Sequence, residues 1–294
     1  MYQREHDRMK ILITSAARKV WLVKAFQATG AHVTACDLDP LAPSLRVADS
    51  CVVQPPDIDY FAFLIKYCKQ NKIDAIVPTR TGELFEISRL STHLFHGTTA
   101  IISQQDPIFN CINKLAFKKV CQFNNLPTPQ TLAYKKYFGK PIEGAGSEGA
   151  FTIDGENNII QEFIDWPEYT IDVFITPDHR AISAVPRLRI KTVNGESWTG
   201  RTVNNKNLID AGIDICQKFG LIWQNTVQCF YDGHDIKFIE INPRFGGGCA
   251  LSIAAGANSP QWIVDILSGK TVKQCIGEFK PELTMSKFTT EVYF

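Results

Sequence analysis

The alternation of short apolar strands with helical segments over the first hundred residues is the strongest constraint on the fold. Lys10–Thr14 (K-I-L-I-T) reads as a buried strand, and Ser15-Ala16-Ala17-Arg18 leads into a helix ending near Gly30. Val33–Cys36, Cys51–Val53, Ile73–Val77 and Thr99–Ile102 read as further strands, with helices over Tyr60–Gln70 and Glu83–Leu94. Strands separated by helices pair in parallel through right-handed crossovers. A doubly wound α/β sheet is therefore expected over residues 9–103, within a first domain spanning 1–103.

Composition excludes several function classes. Net charge is +1, with no block of like charge, so no nucleic-acid partner is expected. No apolar run reaches the ~18 residues of a membrane span, so no membrane partner is expected either. Residues 1–8 read as a polar arm without a signal-peptide core. The nine cysteines are scattered without a C-x-x-C pair, the pattern of reduced thiols and a cytoplasmic chain. His93 and His96 lack companion metal ligands.

The first domain does not read as a dinucleotide site. Asp37 stands at the spacing of a ribose-binding acid, but the turn Thr14-Ser15-Ala16-Ala17-Arg18 lacks the G-x-G-x-x-G backbone approach to a pyrophosphate. Asp37-Leu38-Asp39-Pro40 and Pro78-Thr79-Arg80-Thr81-Gly82-Glu83 both follow strands at their carboxyl ends, where open α/β sheets bind ligands. They line a substrate site or simply make turns with capping acids.

Asn113–Asn125 is helical in pattern, with Lys114 at its start, and ends at Leu126-Pro127-Thr128-Pro129. Lys140 then leads a glycine-rich stretch, Gly144-Ala145-Gly146-Ser147-Glu148-Gly149, of the kind that presents backbone N–H groups to phosphate or serves as a linker. Ile159–Ile164 reads as a strand. Thr170–Ile175 and Ala181–Val185 read as a hairpin across Pro177-Asp178. Arg187, Arg189 and Lys191 alternate on one strand face, as a grip for an anionic substrate or as a solvated edge. Leu208–Phe219 and Pro260–Leu267 read as helices.

The most informative stretch is Phe238-Ile239-Glu240-Ile241-Asn242-Pro243-Arg244-Phe245-Gly246-Gly247-Gly248. Glu240 and Asn242 are two apart on a strand, so they share a face, and Arg244 continues the register. A carboxylate and an amide oxygen suit Mg²⁺, and a guanidinium beside them suits a phosphoryl oxygen. Asn225–Tyr231 and Ile236–Ile241 form a hairpin around Asp232-Gly233-His234, which brings Gln228 near Glu240.

In this order, K-P-x-x-G-x-G-S-x-G, Q-E-F-I and E-I-N-P-R-F-G-G-G resemble the ATP-grasp superfamily. The likeness is to one ATP-grasp half of the carbamoyl-phosphate synthase large subunit and to its stand-alone carboxylate-amine ligase relatives. The resemblance spans Lys10 to Gly269. It implies a Rossmann-like pre-ATP-grasp domain over 1–103 and linker helices with a small lid subdomain over 104–175. An antiparallel-sheet catalytic subdomain over 176–294 would complete an α/β and α+β chain. It also implies ATP with one or two Mg²⁺ ions, or Mn²⁺ in their place. Lys114 and Lys140 would contact phosphates, with Lys140 and Arg244 catalytic, and Gly144, Gly146, Ser147 and Gly149 would form the flap. Gln161, Glu162, Phe163 and Ile164 would meet adenine, and Glu168 the ribose. Gln228, Glu240 and Asn242 would hold metal, while Arg187 and Arg244 would face substrate. The implied reaction is ADP-forming: a carboxylate or bicarbonate becomes an acyl phosphate, which an amine then attacks. The expected partners are small-molecule carboxylates and amines, and a homodimer is allowed. A catalytically inactive ATP-binding regulatory subunit is the alternative. The intervals Thr131–Lys140 and Gly149–Gln161 are shorter than the family's helix-bearing lid, and Gln228 stands where many relatives have an acid.

Overall fold

The computed structural model describes residues 8–91, 97–131, 137–139, 151–153 and 159–294. The N-terminal region runs β1 (Lys10–Thr14), α1 (Val20–Gln27), β2 (His32–Asp37), α2 (Pro43–Val47), β3 (Ser50–Val53), α3 (Tyr60–Asn71), β4 (Ala75–Pro78), α4 (Thr81–Ser91) and β5 (Thr99–Ala100). Its five strands form one sheet in the order β3-β2-β1-β4-β5, parallel throughout. Helices cover both faces, and Ile11, Leu12 and Ile13 of the central strand are each 0% exposed, as a parallel sheet requires. The doubly wound expectation holds. The short helix α2 was not expected; it is started by Pro43, whose fixed φ suits a first helical position.

The strand order reverses direction between β1 and β4. Segments following those two strands flank the crevice of the sheet, the place where such sheets bind ligands. Two helices follow, α5 (Gln105–Ile112) and α6 (Lys114–Phe123). Asn113 separates them, its Oδ1 accepting from the backbone N–H groups of Leu115 (3.0 Å) and Ala116 (2.9 Å). That cap fixes Lys114 at the first turn of α6.

The strands β6 (Tyr137–Gly139) and β7 (Phe151–Ile153) pair as an antiparallel ribbon. His93, His96, Lys140, Gly144, Gly146, Ser147 and Gly149 lie outside the described residues. Ile159–Ile164 is not the strand expected. It contributes one isolated bridge, Gln161 to Thr131.

The remaining chain runs β8 (Glu168–Ile175), β9 (Ala181–Val193), β10 (Glu196–Thr202), α7 (Lys206–Lys218), β11 (Trp223–Tyr231), β12 (Ile236–Asn242), α8 (Cys249–Ala254), α9 (Ser259–Leu267) and β13 (Thr284–Ser286). These strands build a six-stranded sheet, β12-β11-β8-β9-β10-β13, with antiparallel pairing throughout. The boundary expected at 175 falls inside this sheet, because β8 pairs with both β9 and β11.

One face of this sheet packs on α6 and α7 in a core that includes Ile171, Val173, Leu208 and Ile215. Helix α7 approaches β8 so closely that a Cβ on Gly212 would lie 2.7 Å from Ile171 Cγ2. A second core joins the two sheets: Ile11, Ile13, Phe26 and Val33 pack with Phe174, Trp223, Phe245 and Ile263. Phe245, from the end of the E-I-N-P-R-F stretch, meets Trp21 and Phe26 edge-on at centroid distances of 6.4 and 6.0 Å. Among the described residues no helix is long and apolar enough to cross a membrane.

Candidate functional site

Strand register brings the polar residues together. Gln228 pairs with Glu240 on one side and Thr170 on the other, and Thr170 pairs with Arg187. Side chains two apart share a face, so Glu168, Asp172, Arg187, Arg189, Thr226, Gln228, Glu240 and Asn242 belong to one face of four adjacent strands. A bulge between Gln228 and Cys229 shifts the pairing from Glu240 to Phe238. Phe238 and Ile241 can thus both enter the core while Glu240 and Asn242 stay on the polar face.

Glu240 is the hub. Its Oε1 accepts from Gln228 Nε2 at 2.6 Å and from Asn242 Nδ2 at 2.8 Å, and its Oε2 accepts from Lys114 Nζ. Burial opposes ionisation of Glu240, but the Lys114 and Asn242 hydrogen bonds with the Lys114 charge outweigh it and hold the carboxyl below the usual glutamate range. Arg244 donates from Nη2 to Asn242 Oδ1 at 3.2 Å, from Nη1 to the Phe245 carbonyl at 3.1 Å, and from Nε to Thr81 Oγ1 of the N-terminal region at 3.2 Å. None of those partners is a carboxylate. Burial disfavours its charged form.

Glu168, expected at the ribose, lies on the polar face beside Arg189. It is ion-paired with Arg189, whose Nη1 also donates to Gln228 Oε1 at 2.5 Å. Burial raises the Glu168 carboxyl despite that cation. Glu162 is likewise engaged: it accepts from Lys237 Nζ at 2.6 Å and from the Gln130 N–H at 2.8 Å, while its own N–H donates to the Gln130 carbonyl at 2.9 Å. Phe163 is 89% exposed beside it. Ile164 is half-buried.

Arg187, expected to face substrate, is 1% exposed. Its Nε and Nη2 donate to Asp172 at 2.7 and 3.1 Å, and burial of the guanidinium is outweighed by that carboxylate. Asp172 also accepts from Ser252 Oγ at 2.6 Å and Thr226 Oγ1 at 3.2 Å. Arg187 Nη1 has no hydrogen-bond partner among the described residues and lies against the glycine turn, where a Cβ on Gly248 would come within 2.2 Å. Gly248 is thus required by close approach. Sequence alternation cannot distinguish a surface arginine from one whose acid partner stands on the neighbouring strand. Lys191 is exposed, but it is not on an edge: β9 lies between β8 and β10, and Lys191 pairs with Thr199.

Two contiguous hollows adjoin these groups. One of about 240 Å³ is lined by Arg187, Arg189, Gln228, Glu240, Asn242, Arg244 and Gly246–Gly248. The other, about 640 Å³, lies between the two sheets and is lined by Ser15, Lys19, Asp37, Tyr60, Arg80 and Thr81, among others. Glu196, Arg244 and Gly247 line both. The Asp37–Leu38 and Thr79–Gly82 turns therefore do face a cavity. Sequence reasoning missed Lys19, Tyr60 and Asp172, which carry no motif. Arg189 it read only as part of a basic row.

Glu240 is a carboxylate flanked by two amide side chains whose N–H groups it accepts, while their oxygens accept from Arg189 and Arg244; the Lys114 ammonium stands where Glu240 accepts positive charge, the place a hard divalent cation would take. Among the described residues no cluster of three or more His, Cys, Asp or Glu stands ready for a transition metal. All nine cysteines are free, and seven are buried. Burial pushes the Cys36 and Cys229 thiols up to about 12, so these are not nucleophiles.

Residues 154–291 match the family model described as "ATP-grasp in the biosynthetic pathway with Ter operon", and residues 11–110 match "PylC-like, N-terminal domain". The two matches lie side by side along the chain, the PylC-like model on its first sheet and the ATP-grasp model on its second, and each covers less than half of the residues. Among solved structures the chain is similar to the biotin carboxylase–βγ-ATP complex of Campylobacter jejuni, with 13% identity and a TM-score of 0.70, covering 96% of this chain and 75% of that one. It is also similar to the ADP complex of purK, N5-carboxyaminoimidazole ribonucleotide synthetase, with 12% identity and a TM-score of 0.65, covering 91% and 78%. Against the multifunctional pyruvate carboxylase of Rhizobium etli (14% identity, TM-score 0.69) the match covers 90% of this chain but 28% of that one. At these identities the likeness is one of fold. No curated protein matches the sequence.

Proposed function

We propose that the chain is an ATP- and Mg²⁺-dependent ligase. It transfers the γ-phosphoryl group of ATP to a small carboxylate or bicarbonate, giving ADP and an acyl phosphate. An amine then attacks the acyl carbon and expels phosphate. The single observation that carries this reading is the convergence of Gln228, Glu240, Asn242 and Arg244 on one strand face beside an inter-sheet cavity. Glu240, with the amide oxygens of Gln228 and Asn242, would hold Mg²⁺, which neutralises phosphate charge during transfer. Lys114 would exchange its pairing with Glu240 for one with nucleotide phosphate. Arg244, bonded to neutral oxygens and to no carboxylate, would turn to the oxygens of the transferring group. Lys140 and the glycine loop enter by the family resemblance, as does the likeness to carbamoyl-phosphate synthase.

The test is a thermal-shift titration with ATP and Mg²⁺ on wild type and Glu240→Ala, followed by phosphate release over a panel of carboxylates and amines. A ligand at ~100 times its dissociation constant adds about 2.7 kcal/mol to the folded state. Wild type is expected to gain stability of that order and Glu240→Ala much less. Absence of stabilisation in wild type would sink the reading. Stabilisation without phosphate release from any pair would favour the alternative, an ATP-binding regulatory subunit, for which the prior engagement of Glu240, Gln228 and Glu168 by lysine and arginine is the relevant observation.

A further inference from the structure

The inter-sheet cavity carries an imbalance of free charge. Its carboxylates are already engaged. Asp37 accepts from the N–H groups of Ala17 at 2.6 Å and Asp39 at 3.0 Å. Glu196 is paired with Lys287 at 3.1 Å. Beneath the floor, Glu83 is 0% exposed and holds four donors: the N–H groups of Thr79 and Arg80, Ser15 Oγ at 2.9 Å and Tyr60 Oη at 2.7 Å.

Among the described residues, the cations lining the same cavity form no ion pair. The Lys19 ammonium donates to the Ser15 carbonyl at 3.5 Å and forms no ion pair among the described residues. Burial lowers its pKa and repulsion from Arg244 adds to that, the two together outweighing the charges of Glu196, Glu83 and Asp37. The Arg80 guanidinium is exposed to the cavity and forms no ion pair with an acid among the described residues, its backbone N–H donating to Glu83. Arg244 bonds only neutral oxygens. Lys19 is fixed by local structure: Ser15 and Ala17 adopt positive φ (47° and 41°) in the turn after β1, which presents Lys19 at the start of α1. Strain of this kind at a non-glycine turn persists where the surroundings over-determine it. Tyr60 and Phe61 complete the wall.

We propose that this cavity binds a substrate carrying a second anionic group, a carboxylate or a phosphate monoester, held by Lys19 and Arg80 while Arg244 faces the carboxylate that reacts. The assignment of the reacting carboxylate to Arg244 rests on the ligase reading above; the anion preference of the cavity does not. A ligand presenting an ammonium there would find each carboxylate already hydrogen-bonded or paired, and would leave three cations facing one another.

The test measures direct binding by calorimetry without nucleotide, at constant ionic strength, because screening otherwise confounds comparison of charges. The probes are glutarate and 3-phosphoglycerate against the monoanion butyrate. The proteins are wild type, Lys19→Gln, Arg80→Gln and, as a control on the outer surface of α1, Lys24→Gln. Wild type and Lys24→Gln should bind at least one multiply charged probe more tightly than butyrate. Lys19→Gln and Arg80→Gln should each lose about tenfold of that affinity. Whichever of the two probes binds better identifies the second group as carboxylate or phosphate. Equal or absent binding of all three anions to wild type, or affinities unmoved by both cavity substitutions, overturns the proposal. The ATP and Mg²⁺ thermal shift, run on the same proteins, separates the two readings. A preserved ATP response with no anion preference removes this inference alone, and an anion preference with no ATP response removes the ligase reading alone.

Discussion

Asp172 and Arg187 show how a residue-level role is decided by what stands on the next strand. Both are nearly inaccessible, at 4% and 1% exposure. Removing one partner leaves the other charge buried without compensation, so Asp172→Ala should cost about 3–5 kcal/mol. Urea denaturation measures it. A loss under ~1 kcal/mol, within the range of exposed pairs, would contradict the geometry. Glu240 gives the pH counterpart. Its folded-state pKa is depressed, so its contribution to stability is present above the unfolded value of about 4.3 and disappears as pH falls through the lower folded value. The stability difference between wild type and Glu240→Gln should therefore narrow on acidification below about pH 4, followed by chemical denaturation across the acid range. Glu240 and Asn242 were legible in sequence because a two-residue spacing on a strand puts both on one face whatever surrounds them. The burial of Arg187 was not legible, because alternation gives the face and not what covers it.

At the scale of elements, strand pairing does the assembly. The hairpin that brings Gln228 near Glu240 was legible from its turn residues, Asp232-Gly233-His234, and the structure pairs the two directly. The bulge between Gln228 and Cys229 was not read, since nothing in Phe238–Ile241 marks an extra residue. The strand expected over Ile159–Ile164 is instead an extended segment with a single bridge, despite its apolar pattern. Helix α7 offers a test of close packing. Gly212 lies under Ile171, so Gly212→Ala forces the helix away from the sheet and should cost about 1–3 kcal/mol, read as a lowered midpoint in thermal or urea unfolding. An unchanged midpoint would mean that the helix–sheet contact relaxes freely.

For the whole molecule, the relevant feature is the shared core. Trp21 and Phe26 from the N-terminal region enclose Phe245 from the loop that bears Arg244, and Arg244 itself bonds Thr81 across the divide. Packing of this kind couples the two regions and sets the width of the cavity between them. One calorimetric unfolding transition is expected for the wild type. Phe245→Ala removes the ring from the joint core, should cost about 3–5 kcal/mol, and should resolve the transition into two. A single transition retained in the variant would show that other contacts carry the coupling.

The sequence by itself determined the parallel first sheet, the antiparallel hairpins of the second, and the carboxylate, amide and guanidinium face of E-I-N-P-R. These follow from periodicity and short spacing, which act locally. Only the tertiary structure decided that Lys114 and Arg189 engage the acids of that face, that Arg187 is sealed beneath it, and that Lys19 and Arg80 meet Arg244 across a cavity. Lys114 and Glu240 are separated by 126 positions in the chain, and Arg244 and Thr81 by 163. No pattern along a sequence encodes such a meeting, because it arises from how elements far apart in the chain pack against one another.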